Sequence, residues 1–185
     1  MSDIYGEQME EIRTHIVYEL LENKYPRLET DYVILSADEY AGLATHRSAV
    51  VKALEIIGRR YDNEYGVITE KMEASLTGID EFLKLPDDDY YNTKPRINRG
   101  WSMPDSIPYW YAFLETPSGN PYVTRDFVEF NEILFPNRQE VDVYRWNDDF
   151  SDYFDAGKEW WGTGLWSIYD KTTGILVIIG ASTTD

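Results

Sequence analysis

The chain of 185 residues has no cysteine, only two histidines, and half as many basic as acidic side chains. The first absence excludes disulfides, zinc–thiolate sites, iron–sulfur clusters and a cysteine nucleophile. The two histidines, His15 and His46, stand in no His-x-x-x-His or His-Glu-x-x-His pattern, so both read as helix-surface residues without a catalytic role. No Gly-x-Ser-x-Gly elbow is present to seat a serine nucleophile. Phosphate-cradling glycine loops are missing too. Gly162-Thr-Gly164 follows Trp160-Trp161 and leads into a strand, whereas a dinucleotide turn joins a strand to a helix. Long apolar runs are also absent. The longest is Ile175-Leu-Val-Ile-Ile179, far below the ~20 residues that span a bilayer. The N-terminal Met-Ser-Asp-Ile-Tyr-Gly-Glu has neither the basic nor the apolar region of a signal peptide, so the expected location is the cytoplasm.

What is present is acid and aromatic. Against 17 Lys+Arg stand 34 Asp+Glu, and 17 − 34 = −17. Such a charge repels phosphate backbones and anionic membranes, so neither nucleic acid nor a membrane is expected as a partner. It favours a basic protein, because opposite fields speed encounter. The aromatic residues, 15 Tyr, 7 Phe and 6 Trp, are too many for a disordered acidic chain. They crowd the C-terminal half, from Trp101 to Tyr169.

Apolar spacing gives the elements. Met9, Ile12, Ile16 and Leu20 make one stripe of a helix over 7–23, which Pro26 stops. A strand is expected from Asp31 to Ala37. A second helix over 46–58 has Thr45 as its N-cap and Gly58 at its end, with Arg59 and Arg60 after it. Residues 61–85 carry mixed signals. The stretch 86–108 holds four of the eight prolines and Asp87-Asp-Asp89. It reads as a long loop, and is where a boundary between two subdomains would fall. Tyr109–Leu114 reads as an aromatic strand. Thr124 is placed to cap a helix to Leu134, and Val141–Trp146 alternates as a strand. Leu165–Asp170, a turn at Lys171–Gly174, and Ile175–Ala181 read as a β-hairpin. The unbroken run Ile175–Ile179 marks a central strand. The expectation is a single α+β domain, a mainly antiparallel sheet with helices packed on one face.

The segment from Val141 to Trp166 interleaves acids and aromatics without a period. Between residues 140 and 159 seven acids face only Arg145 and Lys158. The candidate partner-binding residues are Asp148, Asp149, Asp152, Tyr153, Asp155, Glu159 and Trp160. The acids would set the rate of encounter, and an exposed Tyr153 or Trp160 would anchor the complex. Trp146, Phe150, Phe154, Trp161 and Trp166 are assigned to the core. On a helical turn Asp148, Asp152 and Asp155 would share one face, which must be solvated, meet a basic partner or bind a divalent cation. The Asp spacing does not fit an EF-hand, and no cofactor is expected. The same Trp/Tyr and Asp mixture over 141–166 also suits a small ligand or a carbohydrate, with rings stacking on sugar faces. No two acids are paired as a glycosidase requires, and the chain is not expected to be an enzyme.

The run Gly157-Lys-Glu-Trp-Trp-Gly162, with Trp166-Ser-Ile-Tyr-Asp170 and the ending Ile178-Ile-Gly-Ala-Ser-Thr-Thr-Asp185, resembles the C-terminal part of uncharacterised bacterial proteins. By type, a small, acidic, aromatic-rich, cysteine-free chain is similar to the immunity proteins that neutralise bacterial toxins. That resemblance implies an inhibitor that occludes a basic toxin or enzyme.

Overall fold

A computed structural model describes residues 9–86, 107–159 and 161–183. Six antiparallel strands form one sheet, ordered β1-β2-β6-β5-β4-β3. They are β1 (Glu10–Glu11), β2 (Asp31–Ser36), β3 (Ala74–Thr77), β4 (Val141–Trp146), β5 (Gly164–Asp170) and β6 (Ile175–Ala181). The helices are α1 (Ile16–Asn23), α2 (Leu43–Arg60), α3 (Ile79–Phe82), α4 (Tyr109–Leu114), α5 (Thr124–Leu134) and α6 (Asp155–Lys158). The fold is α+β. No helix among the described residues is long and apolar enough to cross a membrane.

The expected hairpin is present: β5 pairs with β6 from Asp170↔Ile175 to Gly164↔Ala181. Gly174, at φ +69°, makes the turn, and its N–H donates to Asp170 O at 2.9 Å. On its other side β6 pairs with β2 along six residues, so the apolar run is interior. The sheet draws on both sides of the 86–108 stretch, most of which lies outside the described residues.

Helices cover both faces of the sheet, not one. Successive side chains of a strand point to opposite faces. Tyr32 and Ile34 of β2 join Trp166, Ile168, Val177 and Ile179 under α1, α4 and α5. Val33 and Leu35 join Leu165, Leu176 and Ile178 under α2 and the segment Phe150–Phe154.

Three local expectations are corrected. The N-terminal stripe is split: Met9 lies in the core on the α2 face, while Ile12 packs on the other. A turn at 13–15 separates β1 from α1, and His15 caps α1 by accepting the Val17 N–H. Tyr109–Leu114 is a helix. Its rings fill the core beside α5, and a helix satisfies its own backbone bonds at a site where a buried strand would need neighbours on both edges. Thr45 and Thr124 lie one to three residues inside their helices. Gly42, at φ +61°, and Val123 hold the N-cap positions, and the Asp126 carboxylate accepts the Val123 N–H at 2.9 Å.

Candidate protein-binding surface

Beyond the end of β4 the chain is tied to the loop that precedes β3. Asn147 N–H donates to Glu73 O, and Asn147 Oδ1 accepts the Glu73 N–H, each at 2.9 Å. Ile68 N–H donates to Phe150 O at 2.8 Å, and Val67 bridges Ser151. The Asp152 carboxylate accepts the Gly66 N–H at 2.8 Å. These bonds lay residues 66–73 against residues 147–152, within the longer segments 62–73 and 147–159.

The joined segments form one acidic surface. Asp62, Glu64, Glu70 and Glu73 of the first are exposed, as are Asp149, Asp152, Asp155 and Glu159 of the second. Asp148 is half-buried. It accepts the Thr163 hydroxyl at 2.6 Å, and its carbonyl accepts Lys158 Nζ at 2.7 Å. Nine acids thus stand with Lys71 and Lys158, and Arg47 of α2 adds a third cation by donating to Thr69 O and Met72 O at 3.4 and 3.2 Å, so 3 − 9 = −6. Ile68, 47 % exposed, is the large apolar side chain these segments present to solvent.

Tyr153 does not serve this surface as an anchor. It is 3 % exposed, and its hydroxyl donates to Asp31 Oδ2 at 2.9 Å. The ring lies over Gly180, where an added Cβ would fall 2.4 Å from the Tyr153 oxygen. Glycine is therefore required there for close approach. Asp31 also accepts the Tyr61 hydroxyl, at 2.8 Å. Burial pushes its pKa up, and the two tyrosines and Arg60 oppose that only in part. Trp160, the other expected anchor, lies outside the described residues. Trp146, Phe150, Phe154, Trp161 and Trp166 are buried, as their assignment to the core requires. These five rings thus offer no face on which a sugar could stack.

Basic residues collect elsewhere. Arg13, Lys52, Arg59 and Arg60 line a hollow of about 560 Å³ with Glu10, Glu11, Met9 and Ile56. They are engaged with acids of their own: Arg13 and Arg60 hold Glu11 at 3.0 and 2.6 Å, and Lys52 and Arg59 pair with Glu55.

His46 is not on a helix surface. It is fully buried between α2 and the sheet, inside a chain of hydrogen bonds with one consistent direction. Trp146 Nε1 can only donate, and does so to Ser167 Oγ at 2.9 Å. At the other end the Asp142 carboxylate accepts the Tyr40 hydroxyl and pairs with Lys171 at 2.8 Å. Tyr40 has thus spent its proton. It accepts from His46 Nε2, 3.2 Å away, which leaves Nδ1 to accept the Ser167 hydroxyl at 2.7 Å. The neutral Nε2–H tautomer is the one that fits. Burial lowers the His46 pKa to about 4, against the pull of Asp142. Both His46 and Ser167 are 0 % exposed, so no substrate reaches either.

Among the described residues no group of three or more His, Asp or Glu is placed to hold a metal ion. Sequence reasoning found the acids at 148–159 and missed those at 62–73 and Ile68. Their proximity depends on backbone bonds between segments some 80 residues apart, for which the sequence carries no local signal. No protein-family model matches the chain, and no curated protein matches it.

Proposed function

We propose that the chain is an acidic protein-binding module of the cytoplasm, of the immunity type, that inhibits a basic toxin or enzyme by occluding its active-site face. One observation carries this reading: two separate segments are hydrogen-bonded into a single surface of net −6, Arg47 included, that carries an exposed isoleucine. Nine like charges repel one another, and holding them together costs stability that a cationic partner offsets. The work assigned to the surface is recognition and exclusion, with no bond made or broken.

The test starts with the partner purified by affinity from the native host. Asp62, Glu64, Asp149, Asp155 and Glu159 are exchanged together for Asn or Gln. These five exposed acids leave the Asp148 and Asp152 bonds intact. The expected result is an association rate lowered by about tenfold or more at low salt, with a smaller change in dissociation. In the unaltered protein, salt should slow association more than it speeds dissociation. An unchanged association rate at low salt would overturn the proposal.

A further inference from the structure

We infer that the open edge of β3 is a strand-docking site, which takes an extended, basic segment of the partner; this rests on the protein-binding reading above and specifies how the partner is held. Among the described residues β3 is the last strand of the sheet and pairs only with β4. Its register is Ala74↔Trp146, Ser75↔Arg145, Leu76↔Tyr144 and Thr77↔Val143. One place earlier, Asn147 N–H donates to Glu73 O, so 73/147 is a hydrogen-bonded pair. Such pairs alternate along an antiparallel ladder. Ser75 and Thr77 therefore bond to β4, while the N–H and C=O groups of Ala74 and Leu76 turn outward.

The two edges of the sheet are built differently. At the far edge β1 is two residues long and charged, with Arg13 and Arg60 gathered about Glu11. Short, charged edges resist strand addition. β3 reads Ala-Ser-Leu-Thr, with no lysine, proline or charge. Its Leu76 is 66 % exposed, the largest exposure among the described large apolar side chains. An edge whose outward ladder groups meet no strand among the described residues, and whose leucine is uncovered, is suited to a strand that supplies main-chain bonds and an apolar contact.

Charge selects the occupant. Glu70 and Glu73 precede β3 and Asp80 and Glu81 follow it, against Lys71 and Lys84, while the nearby Arg47 and Arg145 donate to backbone carbonyls, Arg47 to Thr69 O and Met72 O and Arg145 to Ile107 O. Asp148 and Asp149 continue the acidic run from Asn147, opposite Glu73. A second copy of this chain would bring another −17 to that edge and is disfavoured. A strand alternating cationic and apolar side chains meets carboxylates with the first and Leu76 with the second.

The probe is a short, end-capped peptide alternating lysine and valine, with an N-methylated version and a glutamate–valine version as comparisons. At low salt the lysine peptide is expected to bind and to slow hydrogen exchange at the Ala74 and Leu76 amides by about tenfold or more. Leu76→Lys puts a charge on an exposed edge position, so it should leave the fold intact and weaken peptide binding about tenfold. The N-methylated peptide should not protect the two amides. Lysine-peptide binding that leaves both amides unprotected overturns strand docking and leaves the acidic surface reading standing. Protection of both amides in the free protein overturns it as well, since the edge is then already covered. No binding, or equal binding of the glutamate peptide, overturns strand docking, and the acidic-surface reading is then decided by the association rate of the partner.

Discussion

Between pH 6.5 and 4 the protein is expected to lose about 3 kcal/mol of stability through His46 alone. The ordinary histidine pKa is 6.5, and burial lowers that of His46 to about 4 in the folded chain. Over this window the unfolded chain binds the proton and the folded chain resists it, so the contribution is complete above pH 6.5 and is lost as pH falls towards 4. The hydrogen bonds give the reason. A proton on Nδ1 faces Ser167 Oγ, which already accepts from Trp146, and the Ser167 hydrogen is left without its acceptor. Asp31 works in the opposite direction. Its raised pKa lets the folded chain take up a proton before the unfolded one does, which adds stability as pH falls. The measurement must therefore be a difference. Urea unfolding of the unaltered protein and of His46→Gln, at several pH values across the window, should give curves that converge by about 3 kcal/mol at the acid end. Parallel curves would show that His46 takes up its proton in the folded protein without penalty.

Tyr153→Ala is expected to cost about 3–5 kcal/mol of stability and to leave the association rate of the folded molecules unchanged. The ring is enclosed by Tyr65, Phe154 and Gly180, so its removal opens a cavity. The hydroxyl is one of two that solvate the buried Asp31, and Tyr153→Phe, which removes only that bond, should cost about 1–3 kcal/mol. Denaturation measures the first effect, and binding kinetics corrected for the folded fraction measure the second. Were Tyr153 an interface hot spot, the dissociation rate would rise steeply with little loss of stability. That pattern is inconsistent with a side chain 3 % exposed.

Legibility in the sequence followed locality. The hairpin Leu165–Ala181 was plain because alternation, turn residues and an apolar run occur within one short stretch. The same run, Ile175–Ile179, already required cover on both faces, which a single helical layer cannot supply. Tyr109–Leu114 misled because aromatics favour strands in general, whereas here the neighbouring α5 and the sheet decide. His46 gave no sign of burial because its partners, Tyr40, Asp142 and Ser167, come from three parts of the chain. The acids at 148–159 were visible as composition. Their continuation at 62–73 was not, since it rests on Asn147, Ile68 and Asp152 bonding across the sequence.

The strand order also governs when the molecule can take shape during synthesis. β2 emerges from the ribosome well before β6, with which it makes its long ladder: Ser36 pairs with Ile175, and 175 − 36 = 139 residues separate them. Until β6 arrives, Tyr32, Val33, Ile34 and Leu35 have one edge unpaired. Helix α2 can shelter Val33 and Leu35 in the meantime, because it follows at once. On the other face α1, which precedes β2, can shelter Tyr32 and Ile34 in part, and α4 and α5 complete their cover. Closing so long a loop makes folding slow, on the order of milliseconds to seconds. The nascent chain therefore carries an adhesive strand until those 139 residues have been made. Like charges along the growing polypeptide keep neighbouring nascent copies apart during that interval.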